Sequence, residues 1–270
     1  MLSETLLCPN CHDTLRFNGR TRLCCADDGP FLDENILIYE TPGVKEISSE
    51  IAARDRQAKG YLLHAKFPIQ IFRIENFIEA QKKESTSFPI LDLGCGPGPT
   101  TALLTRNRFK SVAVDFFLQS LRLNAMDNPS ADALFVKADL NIIEFAPECA
   151  GGLMMADFLQ HLGTHEMQKQ FLHKAFKALV PGGWFFLSFF NINLKHRLSG
   201  NIEGSFSDGA IPYRRLSARD VTKMLPASIA VTKIIPMNIF HTVAADRLAA
   251  KMPFAQHLAR MMVLCGKKCG

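Results

Sequence analysis

The run Phe88-Pro89-Ile90-Leu91-Asp92-Leu93 leads into Gly94-Cys95-Gly96-Pro97-Gly98-Pro99 and then into Thr100-Thr101-Ala102-Leu103-Leu104-Thr105. The order is short apolar strand, glycine loop, helix, and no other stretch of the chain restricts its fold so closely. Glycines let the backbone approach a ligand, and the helix behind them offers N–H groups that have no partner inside the helix. Ser111-Val112-Ala113-Val114-Asp115 then reads as a second buried strand ending in an acid, 17 residues beyond Gly98. From the tip of that strand a carboxylate is placed to accept hydrogen bonds from ribose hydroxyls.

A GxGxG loop alone is shared with dinucleotide-binding enzymes. The longer string Ile90-Leu91-Asp92-Leu93-Gly94-Cys95-Gly96-Pro97-Gly98 closely resembles the first motif of class I S-adenosylmethionine-dependent methyltransferases. Dehydrogenase loops usually lack an acid two residues before the first glycine. Later segments resemble that family in order. Leu134-Phe135-Val136-Lys137-Ala138-Asp139-Leu140 looks like its third strand with the pair that brackets the adenine. Gly152-Leu153-Met154-Met155-Ala156-Asp157-Phe158 looks like the fourth strand and the loop beyond it. Ala175-Phe176-Lys177-Ala178-Leu179-Val180-Pro181-Gly182-Gly183-Trp184 looks like the helix and Pro-Gly-Gly turn that lead into the fifth strand at 185–189.

The resemblance covers roughly residues 50–270. It implies a three-layer, Rossmann-like α/β methyltransferase fold with a mostly parallel seven-stranded sheet, and S-adenosylmethionine as cofactor. The residues it places against the cofactor are Tyr61, Asp92, Gly94, Cys95, Gly96, Gly98, Asp115, Phe116, Ala138, Asp139, Leu140, Ala156 and Asp157. Residues 53–61 resemble the leading segment that caps the methionine end, with Tyr61 or Arg54 facing it. One departure stands out: Gly151-Gly152 occupies the start of the fourth strand, where many family members have an acid, and Asp157 follows only at the strand's end.

Of the eight cysteines, four lie at positions 8, 11, 24 and 25 and four are scattered at 95, 149, 265 and 269. Such clustering without a secretory leader reads as a metal site before it reads as disulfides. Cys8-Pro9-Asn10-Cys11 has the spacing of half a tetrahedral zinc site. The second half is imperfect, because Asp28 stands three residues after Cys25 where a cysteine is expected. The expected ligands of a structural zinc are Cys8, Cys11, Cys25 and Asp28, with Cys24, Asp27 and His12 as alternatives. The competing reading is a ribbon-like hairpin with packed thiols and no metal. The segment resembles the zinc-ribbon leaders found before some bacterial methyltransferases. The chain thus divides into a ribbon-like element at 1–40, a helical linker that caps the cofactor at 41–85, and the S-adenosylmethionine-binding domain at 86–270.

Methyl transfer from a sulfonium needs alignment and, for some acceptors, removal of a proton, so no single catalytic residue is required. Candidates for a base or acceptor-orienting group are His161, His165, Asn191, His196 and Tyr213, led by His161 after the fourth strand and Tyr213 in Ile211-Pro212-Tyr213-Arg214-Arg215, although a histidine at 161 also commonly caps the following helix. Residues 191–210 form a Gly/Ser/Asn-rich loop in the place of a substrate lid. Net charge is +5, from 31 basic and 26 acidic residues. That is mild for a dedicated nucleic-acid binder. The expected acceptor is a small molecule or metabolite. The alternative is an rRNA guanine, since bacterial large-subunit rRNA methyltransferases share this layout. A non-enzymatic nucleoside-binding module is the third reading. No run of 18 apolar residues is present and the N-terminus lacks a basic and apolar leader, so no stable membrane insertion and a cytoplasmic location are expected. Nothing in the sequence sets an oligomeric state.

Overall fold

A computed structural model of the chain describes residues 2–8, 11–15, 30–33, 35–39, 48–61, 68–82, 87–130 and 132–270. The leader contributes β1 (Phe31–Asp33) and β2 (Ile36–Ile38), followed by α1 (Ser48–Tyr61) and α2 (Pro68–Gln81). The glycine-loop unit is β3 (Ile90–Leu93), α3 (Pro99–Arg106) and β4 (Ser111–Asp115), and α4 (Leu118–Asp127) leads to β5 (Ala133–Lys137) and β6 (Ala150–Ala156). The second half runs α5 (His165–Ala178), β7 (Leu179–Phe190), α6 (Leu194–Ser199), β8 (Glu203–Phe206), β9 (Ile211–Arg214) and α7 (Ala218–Met224). It closes with β10 (Ile229–Met237), α8 (Val243–Ala249), α9 (Ala255–Leu258) and β11 (Met261–Lys268).

The main sheet has nine strands in the order β1-β2-β5-β4-β3-β6-β7-β11-β10, and β8 and β9 form a separate hairpin. Strands β2, β5, β4, β3, β6 and β7 run parallel, whereas β11 is antiparallel to both β7 and β10. The central strands are covered on both faces, which explains why β3 and β4 read as unbroken apolar runs rather than alternating ones. Alternation survives in β7: Phe185, Leu187 and Phe189 face the core beneath α5 and α7, while Trp184 and Phe186 face the core beneath α2 and α3. The expected three layers are therefore present.

One expectation is corrected. The sheet is mixed and nine-stranded rather than seven-stranded, with its six central strands parallel. The leader adds the extra pair, with Ile36, Leu37 and Ile38 of β2 in parallel register with Phe135, Val136 and Lys137 of β5. An uncovered β5 would offer a row of unpaired backbone groups, and β2 covers it. The first residues also join this core rather than standing apart, since Leu7 N donates to Glu144 O (3.1 Å) and Leu6, Cys8 and Leu15 are fully buried in the main cluster. Of the expected zinc ligands, Cys8 is buried and Cys11 half-buried, while Cys25 and Asp28, and the alternatives Cys24 and Asp27, lie outside the described residues. Among the described residues no three His, Cys, Asp or Glu side chains converge as a metal would require.

The Pro181-Gly182-Gly183 segment differs in form from a simple turn. α5 ends at Ala178, Leu179 is already extended, and the pairing jumps from Ala150↔Leu179 to Gly152↔Trp184, so 180–183 bulge out opposite Gly151. The 191–210 stretch is also more ordered than a loop, with α6 capped by Asn193 accepting from His196 N (3.2 Å) and β8 paired to β9.

At Gly152 the departure has a steric cause. A Cβ on Gly152 would come within 2.6 Å of Trp184 Cε2, and that indole is itself held edge-on by Phe77 at 5.4 Å and Phe109 at 6.1 Å. Position 152 has no room for an acid, nor for any side chain, unless the indole moves. Gly152→Ala is predicted to cost about 1–3 kcal/mol of unfolding free energy through overpacking. Urea denaturation reads this directly, and a midpoint equal to that of the wild type would show that the indole moves freely.

Candidate functional site

The glycine loop is shaped by its own backbone bonds. Gly94 N and Cys95 N both donate to Val114 O, at 2.8 and 3.1 Å, which lashes the loop to the end of β4. Gly94 has φ +71° and stands against Phe158, whose Cγ would lie 2.5 Å from a Cβ there. Gly96 has φ +53° and faces open space, with nothing within 4 Å of the place a Cβ would take. Gly98, at φ +101°, is the N-cap of α3. Only glycine takes these conformations without strain.

Asp115 connects this loop to the next. Its Oδ2 accepts from Gly96 N at 2.8 Å and its Oδ1 from Phe117 N at 2.9 Å. Burial pushes the Asp115 pKa up, while the Phe117 and Gly96 donors and the Arg54 guanidinium pull it back. A carboxylate has about four acceptor positions, so acceptor capacity remains for a ligand. Asp92 sits behind the loop. Its Oδ2 accepts from Thr101 Oγ1 at 2.7 Å, and Asn124 Nδ2 donates to Thr101 Oγ1 at 3.0 Å. Burial raises Asp92 to about 7, opposed by the Thr101 bond and assisted by the Asp115 charge. Burial holds the Cys95 thiol well above its usual range, so it is a protonated wall residue and not a nucleophile.

A cavity of about 330 Å³ opens at the carboxyl edge of β3, β4, β5 and β6. Ligand pockets of small molecules begin near this size. Its floor is Gly94, Cys95 and Gly96, its sides come from Asp115–Phe117, Asp139–Asn141 and Ala156–Phe158, and α1 and α2 roof it with Glu50, Arg54, Gln57, Gln70, Ile71 and Ile74. Arg54 Nη2 lies 3.5 Å from Glu50 Oε1, its guanidinium lies over Phe117 at 5.4 Å, and its Nε is buried without a hydrogen-bond partner. Asp157, at φ +60°, accepts from Ser188 Oγ and is raised to about 6 by burial, against the bonds from Ser188 and Gln70.

His161 forms the wall below α1. Its Nδ1 lies 2.8 Å from Pro212 O. A carbonyl only accepts, so Nδ1 carries the proton and Nε2 keeps its lone pair. Burial lowers its pKa to about 4, with the Arg54 charge adding to the effect and the Pro212 bond opposing it. The imidazole is therefore neutral at physiological pH.

Of the expected site residues, Gly94, Cys95, Gly96, Asp115, Phe116, Asp139, Leu140, Ala156, Asp157 and His161 line this one cavity. Asp92, Gly98 and Ala138 do not: Asp92 braces the loop from behind, Gly98 starts α3, and Ala138 N donates to Asp115 O at 3.0 Å. Tyr61 ends α1, and its side chain lies outside the described residues. Tyr213 lies behind the wall, with Phe190 at 5.1 Å, Phe206 at 4.7 Å and His161 at 6.5 Å between ring centroids, and its hydroxyl accepts from Arg215 Nη2 at 2.9 Å. Sequence reasoning missed Glu50, Gln57, Gln70, Asn141 and Phe158. The spacing of Glu50, Arg54 and Gln57 at i, i+4 and i+7 on one helical face was the available signal for α1.

Residues 91–187 match the family model described as a methyltransferase domain. No curated protein sequence matches the chain. Among solved structures, an S-adenosylmethionine-dependent methyltransferase from Clostridium acetobutylicum is similar at 14% identity and a TM-score of 0.58, over 81% of this chain and 100% of that one. The complex of the Haloferax volcanii Trm112 methyltransferase activator with a candidate methyltransferase matches at 13% identity and TM-score 0.57, over 84% of this chain and 100% of that one. The (4+2)-cyclase SpnF matches at 13% identity and TM-score 0.51, over 73% and 81%. At these identities the likeness establishes the fold, and the cyclase is a reminder that one fold hosts several chemistries.

Asp92 gives this site a pH signature in stability. Its carboxyl pKa is 3.8 when solvated and about 7 when folded. Between those values the folded chain holds a proton that the unfolded chain has lost, so stability falls as pH rises from about 4 to about 7, by at most about 4 kcal/mol. Asp92→Asn removes that proton exchange and keeps an acceptor for Thr101. The variant's unfolding free energy is expected to decline less steeply over this range in urea titrations. An equal decline in both proteins would show that Asp92 is not the group responsible.

Proposed function

We propose that the cavity binds S-adenosylmethionine and that the domain transfers its methyl group to a small-molecule acceptor. The observation that carries this reading is the Asp115 bridge, which holds Gly96 and Phe117 around a carboxylate with unused acceptor positions at the cavity wall. The residues suit such a group. The space above Gly96 is empty, Asp115 has lone pairs for ribose hydroxyls, and Phe116, Asp139 and Leu140 form a wall with apolar faces and a carboxylate for an adenine. The floor of Gly94 and Gly96 suits the methionine end, with Arg54 and Gln57 above it.

When bound, S-adenosylmethionine supplies a methyl group already activated by the sulfonium charge. The chain then has to hold an acceptor in line and take its proton. His161 offers an unprotonated Nε2 for the second task, as a weaker base than a solvated imidazole because burial lowers its pKa to about 4, and Pro212 fixes the ring that carries it. Tyr213 is a positioning residue in this scheme, set behind the imidazole with Phe190. The Asp157–Ser188 pair holds the end of β6 in its left-handed turn beside the same wall. A small acceptor is favoured because α1 and α2 roof the cavity, and because the +5 net charge is modest.

Incubation with tritiated S-adenosylmethionine and fractionated cell extract is expected to label a small-molecule fraction. His161→Ala is expected to lower kcat by about 10²–10⁴-fold, the usual contribution of a positioned base. The wild-type rate should hold through pH 6.5 and fall only toward pH 4, because protonation of the depressed imidazole removes the base. Label in rRNA alone would overturn the acceptor class, and no label in any fraction would overturn the transferase reading.

A further inference from the structure

Beyond the cavity, the same edge of the sheet carries a second surface. Asn191, directly after β7, donates through Nδ2 to Gln256 O at 2.7 Å and Ala259 O at 2.9 Å, pinning α9 beside the start of α6. A groove opens between the two helices, lined by Leu194, Leu198 and Leu258. These are 49%, 81% and 51% exposed, and the chain entering α9 from α8 adds Leu248 at 72%, Met252 at 54% and Phe254 at 72%. Isolated exposed leucines need no explanation, whereas three exposed leucines lining one groove, with more exposed apolar side chains on the chain that leads into α9, mark a contact surface.

The charges around this surface identify what it contacts. Over 193–199 and 243–260 the charged side chains are Lys195, Arg197, Asp246, Arg247, Lys251 and Arg260. All five basic ones are exposed, whereas Asp246 is fully buried with Arg73 3.6 Å away. The charges that these two segments leave exposed are therefore all basic. A second copy seated on this face would set cation against cation. A bilayer of anionic lipids satisfies both features at once, taking leucine and phenylalanine side chains at the acyl boundary and lysine and arginine at the headgroups.

We propose that the α6–α9 face docks this protein on an anionic membrane surface. The contact is interfacial, since among the described residues no helix is long and apolar enough to cross a membrane. Geometry gives the docking a consequence. β7 pairs with β6 through Ser188↔Ala156, and Ala156 lines the cavity, so docking brings the carboxyl edge that holds the cavity toward the lipid.

Flotation of the full chain with vesicles tests this without reference to methyl transfer. The protein is expected to float with vesicles of equal phosphatidylglycerol and phosphatidylcholine, to float poorly with phosphatidylcholine alone, and to be partly released by salt. The combined change Leu194→Ser, Leu198→Ser and Leu258→Ser should lower partitioning by about tenfold or more, because each leucine forfeits its apolar transfer. Lys195→Glu with Arg197→Glu leaves the leucines intact and should abolish the preference for anionic vesicles, which keeps the test decisive if the serine variant fails to fold. Absence of flotation with anionic vesicles overturns the proposal. So does undiminished binding by the folded variants. A dimer seen by light scattering that the serine changes dissociate would assign the face to self-association and overturn it as well.

Discussion

Asp115 accepts the N–H of Gly96 on one carboxylate oxygen and of Phe117 on the other, and through those two bonds it fixes two βα turns relative to each other. The turns come from different strands, and each would otherwise leave a backbone donor unpaired at the sheet edge. With the bridge in place, Gly94 and Cys95 hang from Val114 O, Gly96 faces an open space, and Phe116 and Phe117 are held against each other edge-on at 5.3 Å. Much of the cavity's geometry follows from this one carboxylate. The backbone donors and the Arg54 charge offset part of the loss of water that its burial entails.

The layers behind and above the bridge serve the same geometry. Asp92, Thr101 and Asn124 tie β3, α3 and α4 together under the loop, so the glycines are held by a buried polar network rather than by packing alone. Above, α2 is anchored by Ile69, Ile74 and Ile78 in the core and turns Gln70 toward Asp157. His161 depends on the β8–β9 hairpin, because the carbonyl that sets its tautomer belongs to Pro212. A neutral imidazole, a guanidinium and three buried carboxyl groups thus occupy one edge, and burial is the largest influence on the protonation of the imidazole and the carboxyls.

The glycine loop and the acid at the end of β4 were legible from residues 88–115 because the signal is local: a strand, three glycines and a helix in unbroken succession. Features that depend on distant partners were hidden. The strand Ile36–Ile38 is only three residues long, and its partner lies about a hundred residues later, so nothing nearby marks it as an extension of the sheet. Gly152 read as a departure from a motif, whereas its cause is the indole of Trp184 on the neighbouring strand. Tyr213 was placed at the substrate by its neighbours in sequence, but the Arg215 bond and the Phe190 and Phe206 rings hold it behind the wall. Asp92 was assigned to the cofactor, and its Thr101 bond directs it into the fold instead.

The Asp115-centred cavity is proposed as a nucleoside site of the S-adenosylmethionine type. Titration calorimetry with S-adenosylhomocysteine addresses it most directly, on the wild type and on Asp115→Ala with folding checked by circular dichroism. The account predicts saturable one-site binding by the wild type and an affinity loss of about tenfold to a hundredfold or more in the variant, as expected for losing charge-assisted hydrogen bonds. No heat of binding with the folded wild type, or equal affinity in the two proteins, would contradict it.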